Sequence, residues 1–226
     1  RPVLRLGLRL IRGLGRAAAE RIRQSRETDG PFSNIGDLAH RAGLDRGNLR
    51  ALADAGAMAG LGGHRRQAWW QVLGIEARGP LLDSAPHSET SPALPPPSEA
   101  EDLLGDYRSL GLTLGRHPLA LLRDRLRRSG YRPVSELAQT GHRRIARAAG
   151  LVINRQRPGA AGGVVFLTLE DESGVTNVVI WKDLAARQRS LVVGARLLGV
   201  VGIWERRGDV CHLVAGRLED HSHLLG

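Results

Sequence analysis

A single cysteine, Cys211, excludes any intrachain disulfide and any multi-cysteine zinc site. So little cysteine suits a reducing compartment. Aromatic side chains make up only 4 % of the chain, which limits how many sites can stack a base or cage a cation. Nowhere do roughly 18 apolar residues run unbroken, the length a bilayer-spanning helix needs, so no membrane span is expected. Lysine is almost missing too: of 33 basic residues only Lys182 is lysine. That bias fits a GC-rich genome, and arginine also suits bidentate phosphate contacts. No methionine opens the chain, and with Arg1 in first place it reads as a segment of a longer protein or a processed product. The arginine-rich start loosely resembles an organellar transit peptide, but its glycines and the helix that follows fit a folded motif better.

What is present is the composition of a globular protein with 42 % apolar and 25 % charged residues, a net charge of +10 and a sequence pI near 11.3. The charge is segmental. Residues 1–26 carry eight arginines and one glutamate, a sum of +7, and residues 107–157 sum to +10, whereas residues 80–106 sum to −6. Six of the eleven prolines fall between Pro80 and Pro97 among Ser, Thr and Ala, which reads as a linker or exposed excursion. It ends in Ser98-Glu99-Ala100-Glu101, the spacing of a capping box, so a helix should begin there.

Before the linker the apolar periodicity is helical. Leu4, Leu8 and Ile11, then Gly13-Leu14-Gly15, then Ala18, Ala19 and Ile22 read as helix, tight turn, helix. A second pair follows, with Ile35, Leu38 and Ala39 before Ala42-Gly43-Leu44, and Asp45 capping a helix through Leu49, Leu52 and Ala53 that Gly56 stops. After Arg132 the pattern shifts to short β-type runs at Ile145–Asn154, Val164–Glu170, Val175–Trp181, Leu197–Glu205 and Val210–Ala215, with a helix near Asp183–Gln188. Five strands with a helix between the third and fourth describe an OB-type barrel, and the whole is of the α+β class.

Two glycines at Gly13-Leu14-Gly15 let the backbone turn tightly and approach a ligand, so the amides opening the next helix can point at an anion. Arg12 and Arg16 flank that turn and add charge without base specificity. Alone, the motif also fits an ordinary helix–helix turn; the segment's charge favours DNA. The second turn lacks the first glycine and is expected to contact phosphate poorly. In the barrel, alternation puts Val165, Leu167 and Leu169 on the core face, leaving Phe166 as a stacking platform for a base or a second core aromatic. Arg155, Arg157, Arg206 and Arg207 occupy the loop types with which OB folds hold strands, or are solvated surface. Trp181 is expected to plug the barrel, Cys211 to be a small core residue, His117 to serve a turn, and Trp69 and Trp70 to anchor their helix. Glu170-Asp171-Glu172 reads as a polar hairpin turn, not a metal-binding cluster, and His221-x-His223 lacks partner ligands. No catalytic or metal site is expected.

Taken in order, Leu8 to Ile22, Gly30-Pro31-Phe32, Asp37-Leu38, Leu49 to Met58 and Gly63-His64-Arg65-Arg66 resemble the tandem helix-hairpin-helix region of bacterial C-family DNA polymerases. The likeness continues through Asp106 to Gly111, Gly115 to Leu119, and Val165 to Asp171, the signature of that family's OB domain, and is strongest to its error-prone, damage-inducible branch. The resemblance implies a tandem helix-hairpin-helix domain over 1–78, a Pro-rich linker over 79–98, a helical connector over 99–141, an OB-fold domain over 142–220 and a tail over 221–226. It further implies the C-terminal, DNA-handling part of a translesion polymerase, cytoplasmic and nucleoid-associated. The hairpins would hold duplex DNA and the barrel single-stranded template. The nucleotidyl-transfer carboxylates and their magnesium would lie in an upstream palm domain. The sliding-clamp peptide of replicative members is missing, since neither Phe32 nor Phe166 lies in the linker. A catalytically inactive Y-family polymerase is therefore the implied adaptor to the clamp. The alternative is a barrel that docks a protein partner, with arginines that mainly confer solubility.

Overall fold

The computed structural model describes residues 6–75, 92–208 and 210–225. The chain divides into two compact units, Arg1–Gly115 and Arg116–Gly226. The division falls inside the connector expected over 99–141. Most of the proline-rich linker lies outside the described residues, and its end, 92–98, has no regular secondary structure.

The first unit is helical. Leu4 lies outside the described residues, and the helix expected through Ile11 is only a 3-10 turn, Leu8–Leu10. Gly7 and Gly13 bracket too few residues for the costly helical nucleus to be followed by propagation. Then come α1 (Arg16–Asp29), α2 (Ile35–Arg41), α3 (Arg46–Asp54), α4 (Ala59–Gly62) and α5 (Arg65–Gly74). Short polar side chains start several of them: Asn34 Oδ1 accepts from the Asp37 amide at 2.8 Å and Asp45 Oδ1 from the Asn48 amide at 2.7 Å. The capping box at Ser98 and Glu101 is formed in both directions and opens α6 (Glu99–Ser109). Ile22, Ile35, Leu38, Leu49, Leu52 and Val72 share one core, each worth roughly 1.5–3 kcal/mol of burial. Arg65 ties α5 to α6 through Asp102 at 3.0 Å and Asp106 at 2.5 Å. Those two pairs explain why α6 travels with the hairpins. Trp69 anchors its helix as expected, its indole N–H donating to Asp54 at 2.5 Å. Trp70 does not: it is 49 % exposed.

The second unit begins with α7 (Pro118–Arg128), where His117 Nδ1 accepts from the Leu119 amide at 3.2 Å, and α8 (Val134–Leu137). A closed barrel follows in the order β1-β2-β3-β5-β4, from β1 (Arg144–Gln156), β2 (Val165–Asp171), β3 (Gly174–Ile180), β4 (Leu197–Arg207) and β5 (Val210–Asp220). Strand β1 is long enough to pair with β4 along its first part and β2 along its last, and a bulge between Val152 and Asn154 lets it turn between them. Parallel pairing of Asn177–Val179 with His212–Val214 closes the barrel. Where β4 bends over β5, a Cβ at position 202 would lie 2.0 Å from the Val214 carbonyl oxygen, so the bend requires Gly202.

Val165, Leu167 and Leu169 face the barrel core, as the alternation predicts. Trp181 does not plug it: the residue is 57 % exposed, lying just past the end of β3 as the N-cap of α9 (Lys182–Arg187). Trp204, 3 % exposed in the middle of a strand, fills that role. Cys211 is partly buried against the same core. A further helix, α10 (Arg189–Gly194), follows α9 and continues beyond the single helix expected there.

Candidate nucleic-acid interface

In the first hairpin Gly13 has φ +84°, a left-handed conformation that residues with a Cβ adopt only at a cost. The turn then extends through Gly15, the N-cap of α1, which has no side chain to satisfy the helix's first amides. The first intrahelical bond runs from the Ala19 amide to the Gly15 carbonyl at 3.1 Å, so the amides before it point outward from a 14-residue helix with no acidic residue in its first turn. That is a positive helix end with orphan donors and an exposed arginine, Arg16, beside it. Leu14 turns inward and is half-buried against the hairpin core. Arg12 is engaged within the fold, where its guanidinium donates to the Arg108 carbonyl at 3.1 Å and its amide to the Ser109 carbonyl at 2.9 Å, closing the C-terminus of α6.

The second turn is chemically different. Its Ala42 and Gly43 carbonyls accept from Arg21 at 2.8 and 3.1 Å, and the following helix is capped by the Asp45 carboxylate. A negative cap occupies the amides and repels phosphate. The missing glycine predicts a poor phosphate contact here, and Asp45 is the stronger reason for one.

On the barrel, Phe166 lies on the outward face, 39 % exposed, between Gln156 of β1 and Val179 of β3. Thr168 lies on the same face and donates to Asn177 at 3.2 Å. Arg157 is exposed in the loop between β1 and β2, and Arg207 at the β4–β5 hairpin. Arg155 and Arg206 are already engaged. Arg155 donates to the Val192 carbonyl at 2.9 Å and to that of Ala195, closing the end of α10, while Arg206 donates to the Ala138 carbonyl just past α8. Of the arginines singled out from sequence, Arg16, Arg157 and Arg207 thus keep their guanidinium groups unpaired among the described residues. Sequence reasoning passes over Lys182 and Arg189, which the α9–α10 pair brings beside Arg157 around a cavity of about 290 Å³. The only signal for it is that Lys182 is the sole lysine.

Two members of the acidic triplet are structural. Asp171 and Glu172 hold Arg123 at 3.0 and 2.5 Å. Burial alone would raise the Glu172 carboxyl, but the Arg123 guanidinium outweighs it and holds the group below its ordinary range. Among the described residues no group of three or more His, Cys, Asp or Glu is arranged to hold a metal ion. Nor is any described helix long and apolar enough to cross a membrane.

Comparisons with known proteins bear on the domain type of both units. The model of a helix-hairpin-helix motif family matches residues 1–68, and that of an OB-fold nucleic acid binding domain matches residues 146–220. The error-prone DNA polymerase of Alkalilimnicola ehrlichii is 60 % identical over 225 residues, covering 100 % of this chain and 22 % of that protein. Similarity to error-prone DNA polymerases runs the whole length of the chain. The Azoarcus enzyme of the same name is 53 % identical over 226 residues, 100 % of this chain and 21 % of that protein, and the Pseudomonas fluorescens one 50 % identical over 225, 99 % and 22 %. The chain therefore spans about a fifth of the length of the curated relatives it matches. A helix-hairpin-helix region followed by a closed five-stranded OB barrel is the architecture in hand.

Proposed function

We propose that this chain is the C-terminal DNA-handling part of an error-prone, translesion DNA polymerase. It grips duplex DNA at the Gly13–Arg16 turn and single-stranded template on the Phe166 face of the barrel. Catalysis belongs to a palm domain elsewhere in the parent enzyme, with its own magnesium. The observation that carries the reading is the uncapped, carboxylate-free start of α1 within a matched helix-hairpin-helix segment. Contacts there go to phosphate and carry no base specificity. The test is the salt dependence of affinity for duplex and for single-stranded oligonucleotides. Several phosphate contacts require a steep fall as salt rises, and a flat response overturns the reading.

Protein docking is a second reading, favoured by one feature of the hairpin unit: Trp70 and Leu73, both exposed, line a cavity of about 370 Å³ with Leu94 and Pro97. A catalytically inactive Y-family polymerase is the partner this reading takes. Loss of its capture on Trp70→Ala, with DNA affinity unchanged, would favour docking at that place.

A further inference from the structure

The cavity between the β1–β2 loop and the α9–α10 pair combines two features. Its floor is apolar, from Val165, Ala185 and Val192, and its rim carries Arg157, Lys182 and Arg189. Each of these three cations is exposed and without an ion pair or hydrogen bond among the described residues. Gly163 packs between two of these residues, since a Cβ at position 163 would lie 3.4 Å from Lys182 Cβ and 3.7 Å from an Arg157 guanidinium nitrogen. Gly163, at φ +89°, leaves that space open. No carboxylate lines the cavity. Asp183, next to Lys182 in sequence, makes no ion pair among the described residues. Three like charges around an apolar pit repel one another until an anion joins them. Arg155 forms the wall but is held by two carbonyls of the α10 end.

We propose that this cavity seats the terminal nucleotide of a DNA strand that ends in a phosphate. The base lies on the Val165–Ala185–Val192 floor, and the phosphate is held by Arg157, Lys182 and Arg189. A volume of about 290 Å³ is at the small end for ligand sites, suited to one nucleotide and not to a folded strand. A phosphomonoester carries a charge of about −1.5 to −2 at neutral pH, against −1 for a backbone diester, so a triple-cation rim selects an end over an internal position. Such a site would let the barrel distinguish the end of a downstream strand from continuous template. The inference rests on the reading that the barrel unit binds single-stranded DNA.

Because Lys182 is the only lysine, an amine-reactive ester followed by peptide mapping reports on this rim directly. The full chain is acylated alone, with a 5′-phosphorylated oligothymidine, and with the same oligomer ending in a 5′-hydroxyl, while affinities are read by fluorescence anisotropy. The phosphorylated end should slow Lys182 acylation and bind roughly tenfold or more tighter, as expected for charge-assisted hydrogen bonds to a dianion. Arg157→Gln with Arg189→Gln should erase that preference, so that the two oligomers bind the variant equally. Equal binding and equal protection by the two oligomers overturns the phosphate site alone. Binding of neither oligomer overturns the site together with the single-strand reading on which it rests.

Discussion

Arg123 Nη2 donates to Asp171 Oδ2 at 3.0 Å, and the Asp171 side chain has no exposed surface. The same carboxylate accepts from the Val134 amide at 2.8 Å and from the Ser173 amide and hydroxyl at 2.8 and 2.7 Å. One aspartate thus joins α7, the start of α8 and the β2–β3 turn, which fixes the end of the barrel at which the Phe166 strand stops.

Removing one member of a buried pair leaves the other uncompensated, at about 3–5 kcal/mol. Asp171→Ala should fall at the lower end of that range, since Glu172 still holds Arg123. Chemical denaturation checks it, and the Arg123→Met, Asp171→Ala double variant should lose less than the sum of the two single losses. Additive losses would mean that the two residues act independently.

The hairpin separates stability from binding. Gly13→Ala places a Cβ on a left-handed residue and should cost roughly 1–2 kcal/mol of stability. Gly15 has φ −67° and nothing within 4 Å of an added Cβ, so Gly15→Ala should fold normally. Its methyl group would stand where a phosphate approaches the α1 amides, and duplex affinity should fall with no change in melting temperature. Gly43→Ala is the control: it strains the second turn, φ +55°, but should leave duplex affinity intact. Equal affinity losses at Gly15 and Gly43 would remove the distinction between the turns.

Much of this is legible in the sequence, because it depends on local chemistry. The capping box at Ser98, the Asp45 cap, the five strands and the inward set Val165, Leu167 and Leu169 follow from spacing and alternation. What escapes depends on partners distant in sequence. Nothing near Arg12, Arg155 or Arg206 announces that their guanidinium groups close helix ends at Arg108, Ala195 and Ala138. Trp181 misleads because a tryptophan at a strand end reads the same whether it points in or out; Trp204, inside a strand where Gly202 and Trp204 are buried and Ile203 between them is exposed, is the one that alternation can select. The rim of Arg157, Lys182 and Arg189 is assembled by the α9–α10 turn and has no contiguous motif.

Phe166 can be tested as a surface residue. At 39 % exposure, its truncation to alanine should cost well under the roughly 3–5 kcal/mol of a core phenylalanine. Stacking is worth roughly 1–3 kcal/mol per base, so single-strand affinity should fall about five- to a hundredfold in Phe166→Ala. Melting temperature and affinity are measured on the same preparation. A folded variant with undiminished affinity would remove Phe166 from the interface.

Acid should destabilise the barrel unit through His221. This residue is half-buried, its Nε2 lacks a hydrogen-bond partner, and its ring meets Tyr131 edge-on at 5.2 Å between centroids. Burial holds its pKa below the ordinary 6.5; the Glu219 carboxylate, 3.8 Å away, opposes this, and His223 adds to it. Burial also pushes the Tyr131 hydroxyl, which donates to Glu219 at 2.7 Å, up to about 12. For a base whose folded pKa is lowered, the unfolded chain takes up the proton first. The stability from neutral His221 is therefore complete above 6.5 and is lost as pH falls from there toward the folded value. The carboxylates held low, Glu172 and Glu219, contribute a separate loss that begins only near their ordinary 4.5. Thermal melts of the full chain between about pH 7.5 and pH 5 should thus show a decline that His221→Phe flattens, because phenylalanine keeps the edge contact and cannot protonate. The decline should steepen again in both proteins below that window. Parallel curves for the two proteins throughout would remove His221 as the source of the acid sensitivity.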